Sequence, residues 1–408
     1  MNEVVVQYLG AQGDGVAPRP PGKPLYVKGA APGDIARLDD TGLVAELVPG
    51  PNRAEPVCRH FGVCGGCTLQ HVAEPAYRAW LSERILMALA QHEVTPARVE
   101  PVHLSPPGSR RRASLRAVRR GRRVEIGFNI ERTHRLVDLA ECPVLHPALL
   151  AALPPLRDFL RTLLADGHAA TVQLTVTDAG LDVTLSGLKV RGFEQEEACA
   201  AFAEAADLAR LSIEGASGLD VMLERRPPTL RFGGVPVRLP HNVFLQATAD
   251  GEAALVDAVL DAVGGATQVA DLFAGVGTFA LPLGRTARVL AADAAQPALQ
   301  ALDRAAREAG RPVTVTHRDL FRRPMIPAEL KDMQAVVVDP PRAGAEAQVE
   351  MLAQSGVPVV VAVSCNPNTF ARDARRLVDG GYRLERLWPV GQFLWSTHVE
   401  LVARFARA

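Results

Sequence analysis

At 408 residues the chain has room for two or three domains, each with its own core. Lys plus Arg and Asp plus Glu both number 45, so the formal net charge is zero, which by itself says nothing about nucleic acid. No run nears the roughly 18 consecutive apolar residues of a membrane helix, and Met1 to Gly10 carry neither the basic nor the long apolar segment of a secretory leader. The expectation is a cytoplasmic enzyme, monomeric and without a membrane contact.

The first fifty residues alternate short β-forming runs with turn signals: Val4–Val6, Gly13-Asp14-Gly15, Leu25–Val27, Pro32-Gly33-Asp34 and Leu43–Val48. That is the rhythm of a small β-barrel over residues 1–52, closed by the linker Pro49-Gly50-Pro51-Asn52. A central region, residues 53–235, follows, with Cys58, Cys64, Cys67 and Cys142 in its first part. Between Arg110 and Arg123 it holds eight arginines and no acid. The chain has only four lysines, so codon preference explains Arg over Lys, but not this density. The run, Arg110, Arg111, Arg112 and Arg116 foremost, is expected to form a phosphate-binding surface.

From about residue 236 the pattern regularises. A helix at Ala249–Val263 precedes a strand at Val269–Phe273, a glycine turn, a strand ending at Asp293, a helix to about Ala309, and strands at Val313–Thr316, Ala335–Val338 and Val357–Val363. Strand, loop and helix in alternation predict an α/β domain over residues 236–408, a doubly wound, mostly parallel sheet.

The loop Asp271-Leu-Phe273-Ala-Gly275-Val-Gly277-Thr278 stands at the carboxyl end of the first of these strands, where two glycines let backbone approach a ligand. Asp293 ends the next strand, placed to accept both ribose hydroxyls, and Asp319 follows the third, within reach of an adenine amino group. A nicotinamide dinucleotide competes for such a loop, but its fingerprint needs a third glycine in G-x-G-x-x-G, and here an acid and an aromatic precede two. The loop resembles that of S-adenosylmethionine methyltransferases.

After the fourth strand comes Asp339-Pro340-Pro341-Arg342-Ala-Gly344, and after the fifth Ser364-Cys365-Asn366-Pro367. Prolines there stiffen the turns and aim the neighbouring side chains at the carboxyl end of the sheet. Cys365 beside a cofactor loop reads as a nucleophile, with a small buried packing residue as the competing reading. Glu400, in the last strand Thr397-His398-Val399-Glu400-Leu401-Val402, reads as a general base; a solvated edge charge is its alternative. The six cysteines of a cytosolic chain this size read as ligands, nucleophiles or packing residues and not as a disulfide framework, and Cys199 falls in the last class.

Together these motifs resemble the RNA 5-methyluridine methyltransferases, specifically the iron–sulfur branch that modifies 23S ribosomal RNA. The resemblance implies a TRAM-type OB barrel at the N-terminus, marked by Gly13–Ala17 and Pro32-Gly33-Asp34, and a [4Fe–4S] cluster on Cys58, Cys64, Cys67 and Cys142. It implies that Cys365 adds to C6 of a flipped uridine, that C5 then takes the methyl of S-adenosyl-L-methionine, and that Glu400 removes the C5 proton. Cofactor contacts would come from Gln246, Phe273, Thr278, Asp293, Asp319 and Asp339, with Gly275 and Gly277 shaping the loop. Zinc remains an alternative for four cysteines. So do a tRNA uridine-54 methyltransferase and a non-catalytic iron–sulfur RNA-binding protein for the whole chain. Ala274, Thr278 and Phe393-Leu-Trp-Ser-Thr397 depart from the family's usual Cys, Asn and Phe-Pro-His-Thr at these places.

Overall fold

The computed structural model describes residues 2–19, 22–130, 133, 135–215 and 218–407. The N-terminal strands are β1 (Asn2–Val5), β2 (Tyr8–Leu9), β3 (Gly15–Ala17), β4 (Leu25–Val27), β5 (Ile35–Leu38) and β6 (Val44–Val48). They form two three-stranded antiparallel sheets, β1-β5-β6 and β2-β3-β4, around Val6, Val27, Ala30, Ala36 and Leu38. Asp34 closes this unit. Its buried carboxylate accepts from the backbone N–H groups of Ala31 and Gly50, both at 2.7 Å, and pairs with Arg53 at 2.5 Å, so the proline-rich linker is tied back onto the strands.

Next come α1 (Glu74–Ala90), β7 (Arg98–Val99) and β8 (His103–Leu104). The central sheet is built from β9 (Arg112–Arg120), β10 (Arg123–Asn129), β11 (Leu136–Asp138), β12 (Ala169–Thr177), β13 (Gly180–Ser186), β14 (Leu208–Gly215) and β15 (Gly218–Glu224) in the order β11-β10-β9-β12-β13-β14-β15. Helices α2 (Pro147–Ala151), α3 (Leu153–Leu163) and α4 (Gly192–Ala205) accompany it. Alternation along β9 sends Ala113, Leu115 and Ala117 inward and leaves Ser114 and Arg116 on the open face, as a period of two requires. The inward set packs on Leu156, Phe159, Leu160 and Phe202 of the helices. Cys199 is buried in that layer, and it is not among the residues lining the cavity shared by Cys58, Cys64, Cys67 and Cys142.

The C-terminal part begins with the hairpin β16 (Thr229–Phe232) and β17 (Val235–Arg238), then α5 (Ala249–Val263). The alternating units are β18 (Gln268–Leu272), α6 (Ala280–Leu283), β19 (Arg288–Asp293), α7 (Gln296–Glu308), β20 (Val313–His317), β21 (Ala335–Val338), α8 (Glu346–Ala353), β22 (Val359–Ser364), α9 (Pro367–Asp379), β23 (Tyr382–Gly391) and β24 (Glu400–Arg407). The sheet order is β20-β19-β18-β21-β22-β24-β23-β7, with β8 also beside β23. Strands β18 to β22 are mutually parallel and β24 runs antiparallel to both its neighbours. The expected doubly wound sheet is therefore present, with helices on both faces burying runs such as Ala335–Val338 completely.

One stretch sits elsewhere than its place in the sequence suggests. Residues 74–104 fall within the central region, yet Tyr77, Trp80, Leu81, Ile85 and Leu89 of α1 share a core with Leu377, Tyr382 and Phe405. Strands β7 and β8 extend the C-terminal sheet alongside β23.

A buried ion pair joins the two larger sheets. Arg111 donates through Nη2 to Glu252 of α5 at 2.6 Å and through Nε to the Gln246 carbonyl at 3.2 Å. Its side chain is only 8% exposed and that of Glu252 10%. Arg111 was expected to reach phosphate from the surface; it is instead an internal tie, because a charge that deep is tolerated only with its partner. Arg111→Ala would strand Glu252, and is expected to lower the unfolding free energy by about 3–5 kcal/mol in urea titrations.

Candidate active site

A cavity of about 980 Å³ opens at the carboxyl end of the C-terminal sheet and runs to the open face of the central sheet. Of the residues singled out in the sequence, Gln246, Phe273, Gly275, Thr278, Asp293, Asp339, Cys365, Glu400, Arg110 and Arg112 line it. Gly277, Asp319, Arg111 and Arg116 do not.

The glycine loop is built by strain and clamping. Phe273 leaves β18 with φ 65°, a left-handed conformation rare for a residue with a Cβ. It is held there by N–H bonds from Phe273 and Ala274 to the Ala292 carbonyl, at 2.9 and 3.1 Å. Asp293 ends β19 and takes the Gly275 N–H at 2.9 Å and the Ala295 N–H at 2.7 Å, which leaves its outer lone pairs for a ligand. Gly277 serves packing: at φ 93° its added Cβ would lie 2.4 Å from Leu302, so glycine lets the loop press on α7. Asp319 also acts indirectly. It accepts from the N–H groups of Phe321 and Arg322 at 3.0 and 3.2 Å, shaping the turn that brings Leu320 and Phe321 into the cavity. The Phe321 ring meets that of Phe273 at 5.4 Å.

The reactive end is assembled from three strand ends. The Asp339–Arg342 turn and the Ser364–Asn366 turn are tied together where Asn366 Nδ2 and Thr369 Oγ1 donate to the Arg342 carbonyl, at 3.1 and 3.2 Å. Asn366 also caps α9 by accepting from the Asn368 N–H. Burial pushes the Cys365 thiol up to about 11, helped by the acids Glu400 and Asp339 and opposed by the Arg342 guanidinium. Burial likewise lifts Glu400 to about 7, against the pull of the Gln392 amide and of Arg342. Asp339 is raised well above the usual carboxylate range by burial and by the neighbouring Glu400 and Asp271. Beneath the glycine loop, burial carries Asp271 up to about 8. A soft thiol thus stands near an acid able to exchange a proton near neutrality, an arrangement that can serve addition to an electrophilic ring followed by proton abstraction.

Sequence reasoning gave no role to Gln392 and quoted Arg342 without one. A glutamine carries no motif signal, and its part here depends on contacts with residues about 145 positions away.

Cys58, Cys64, Cys67 and Cys142 line one small neighbouring cavity with Gln70, Phe128 and Arg110. All four are free thiols, and burial raises Cys64, Cys67 and Cys142, each helped by the charge of at least one other cysteine of the set. Among the described residues no three His, Cys, Asp or Glu side chains are drawn into a metal-ligating arrangement. His60 and Glu141 also line this space, but Glu141 is paired with Arg59, and the four thiols that remain are the donor set of a four-cysteine metal centre. Arg110 borders both cavities, its guanidinium 5.6 Å over the Phe393 ring. Arg112 lies 5.6 Å over the ring of Phe244, which is 68% exposed at the cavity. Arg116 lines a second groove of about 540 Å³ on the open face of the central sheet with Ser114, Asn129, Thr171 and Ser186.

The model of the tRNA (uracil-5-)-methyltransferase family matches residues 234–405. An uncharacterized RNA methyltransferase of Zymomonas mobilis is 44% identical over 98% of each chain. The 23S rRNA (uracil(1939)-C(5))-methyltransferase RlmD of Halomonas elongata is 33% identical, covering 98% of this chain and 88% of its own. Among solved structures, the tRNA (uracil-54, C5)-methyltransferase of Pyrococcus abyssi in complex with S-adenosyl-L-homocysteine superposes with a TM-score of 0.76 over 99% of both chains; at 24% identity that likeness is one of fold.

The raised Glu400 carboxyl links the site to stability. In the folded protein it holds its proton up to about 7, whereas an unfolded glutamate releases it near 4.5. The stability this contributes is complete below the unfolded value and is lost as pH rises through the folded one. Glu400→Gln cannot lose a proton, so its unfolding free energy from urea titration should exceed that of the wild type at about pH 8, by on the order of 3 kcal/mol, and match it at about pH 4.

Proposed function

The chain belongs to the RNA (uracil-C5)-methyltransferase family, an S-adenosylmethionine-dependent group, and on that premise we propose that it methylates C5 of a uridine in 23S rRNA. The observation that carries the reading is the meeting of Cys365, Glu400 and Asp339 with the Phe273–Thr278 loop and Asp293 in one cavity. The substrate class follows the Halomonas relative, with which almost the whole chain aligns.

In this reading the Cys365 thiolate forms a bond to C6 of the flipped uracil, and the ring electrons move onto C5 and O4. C5 then bonds the methyl carbon as the sulfonium–methyl bond breaks; the methyl is the one chemical group that bound S-adenosylmethionine supplies. Glu400 takes the C5 proton, the C5–C6 double bond re-forms and the thiolate leaves. Arg342 favours both the thiolate and the ionised Glu400, while the burial that raises Asp339 disfavours a second negative charge beside Cys365. Gln246, Phe273, Thr278, Asp293 and Asp339 line the space for the cofactor.

Cys58, Cys64, Cys67 and Cys142 would hold a [4Fe–4S] cluster. The transfer is redox-neutral, so such a cluster supplies structure beside the RNA site and no electrons. The N-terminal sheets, taken as a TRAM-type unit, and the face carrying Arg116 would guide the RNA strand, with Arg110 and Arg112 at the cavity mouth. Arg116→Ala is expected to reduce the slope of log binding constant against log salt by about 0.7, the share of one single-strand phosphate contact, in filter-binding titrations.

The test of function pairs wild-type and Cys365→Ala protein with unmodified RNA and methyl-labelled cofactor. Label should reach 5-methyluridine in large-subunit rRNA with the wild type alone. Label in tRNA instead would favour the second reading, a tRNA uridine methyltransferase, for which the matching family model speaks. Transfer to neither, from folded protein, would overturn both readings and leave an RNA-binding protein.

A further inference from the structure

We infer that Gln392 is a positioning residue: its single amide aligns Glu400 for proton abstraction and turns Gln246 to face the cavity with a donor. The inference rests on the reading of Cys365 and Glu400 given above.

Gln392 follows the end of β23 and is only 1% exposed. Its main chain is closely packed. A Cβ on the preceding Gly391 would lie 2.8 Å from Leu104 and 2.9 Å from Leu81, and one on Gly251 of α5 would lie 2.7 Å from the Gln392 Cβ itself. The amide is oriented without ambiguity, because the Ala247 backbone N–H, which can only donate, reaches Gln392 Oε1 at 2.8 Å. The two Nε2 hydrogens must therefore point the other way. One goes to Gln246 Oε1 at 2.7 Å; the other is free for Glu400, whose cross-strand partner is Val390, two residues before Gln392, and whose carboxyl the Gln392 amide draws back down against burial.

Two consequences follow from donor and acceptor counting. Gln246 spends its oxygen on Gln392, so its own NH2 is left for the cavity it lines, a fixed donor for a carbonyl or a developing oxyanion. Glu400 is steered by a neutral group. An arginine in this place would hold the carboxylate ionised and make it a poor proton acceptor, whereas an amide fixes its direction and leaves it able to gain and lose a proton near neutrality.

The test uses full-length protein, transcripts of 23S rRNA and of tRNA tritiated at C5 of uridine, and unlabelled S-adenosylmethionine. Three readouts are taken: tritium release, protein–RNA adduct surviving denaturing electrophoresis, and thermal melting. Gln392→Leu should cut tritium release by on the order of 10- to 100-fold, the range of a misaligned general base. Adduct should accumulate, because the steps before proton removal persist, and any rise in the Michaelis constant for S-adenosylmethionine, through the released Gln246, should be smaller than the fall in rate.

Gln392→Glu, which keeps the acceptor for Ala247 but offers no donor, covers the case in which leucine prevents folding. It should show the same adduct, with the pH midpoint of tritium release displaced upward. Wild-type rates of release without adduct, from either folded variant, would overturn the inference. Glu400→Gln is the control. If it traps adduct while both Gln392 variants behave as wild type, only the positioning role fails. If it traps none, the reading beneath it fails and the inference with it.

Discussion

The register of one strand, β24, is the constraint on which the site depends. It runs antiparallel between β22 and β23, pairing Leu401 with Ser364 and Glu400 with Val390. That pairing places the first residue of β24 beside the turn carrying Cys365 and beside the segment carrying Gln392. Side chains alternate along a strand, so a slip of one residue would send Glu400 to the opposite face and leave the thiol without a carboxylate neighbour. The register is secured by burial on both sides: Leu401, Val402, Ala403 and Phe405 are all enclosed, and displacing them would expose apolar surface along the whole strand. The chemistry at the strand's start is therefore held by packing along its length.

Packing also sets the electrostatic character of the cavity. Asp271, Asp339 and Glu400 are three acids raised by burial, with Arg342 the cation that eases Glu400 and Cys365. A folded core organised only for stability would not hold so many carboxyls raised by burial. The N-terminal half supports the strained side of the site. Trp395, with φ 57°, offers its carbonyl to the N–H groups of Thr68 and Leu69 at 2.8 and 2.9 Å, and Tyr77 donates to the Ser396 carbonyl at 2.9 Å. The segment 393–397, where the sequence leaves the family's usual Phe-Pro-His-Thr, is thus fixed by residues next to Cys67 and on α1.

The alternating α/β pattern and the turns after β18, β21 and β22 were readable because each is local: hydrophobic period, glycine and proline speak within a few residues. The failures of sequence reading are non-local. Arg111 and Arg116 stand five residues apart in one basic run, yet one is buried against Glu252 on α5 and the other faces a groove. Only the position of the central sheet against α5 separates them. Asp319 follows a strand as a ligand group would, yet it stands outside the cavity lining, and one of its oxygens braces the next turn. Helix α1 showed no sign of its destination, since an amphipathic face does not say which core will bury it. Gln392 could not be found at all, as an amide has meaning only through its partners.

Arg110 joins these themes. Its charge is largely buried, and it is felt by the sulfurs of Cys67 and Cys142 on one side while the guanidinium lies over Phe393 on the other. Phe393 follows Gln392 directly in the chain, so Arg110 borders the cysteine cavity on one side and meets the segment next to Gln392 on the other. A buried guanidinium is strongly disfavoured without compensating negative charge. Ionised cysteines, as a metal centre requires, would provide it, and would hold Arg110 against Phe393. Neutral thiols would leave that charge uncompensated at the edge of the catalytic cavity. The state of the four cysteines and the order of the segment next to Gln392 are in this way tied by one side chain, without any electron passing between them.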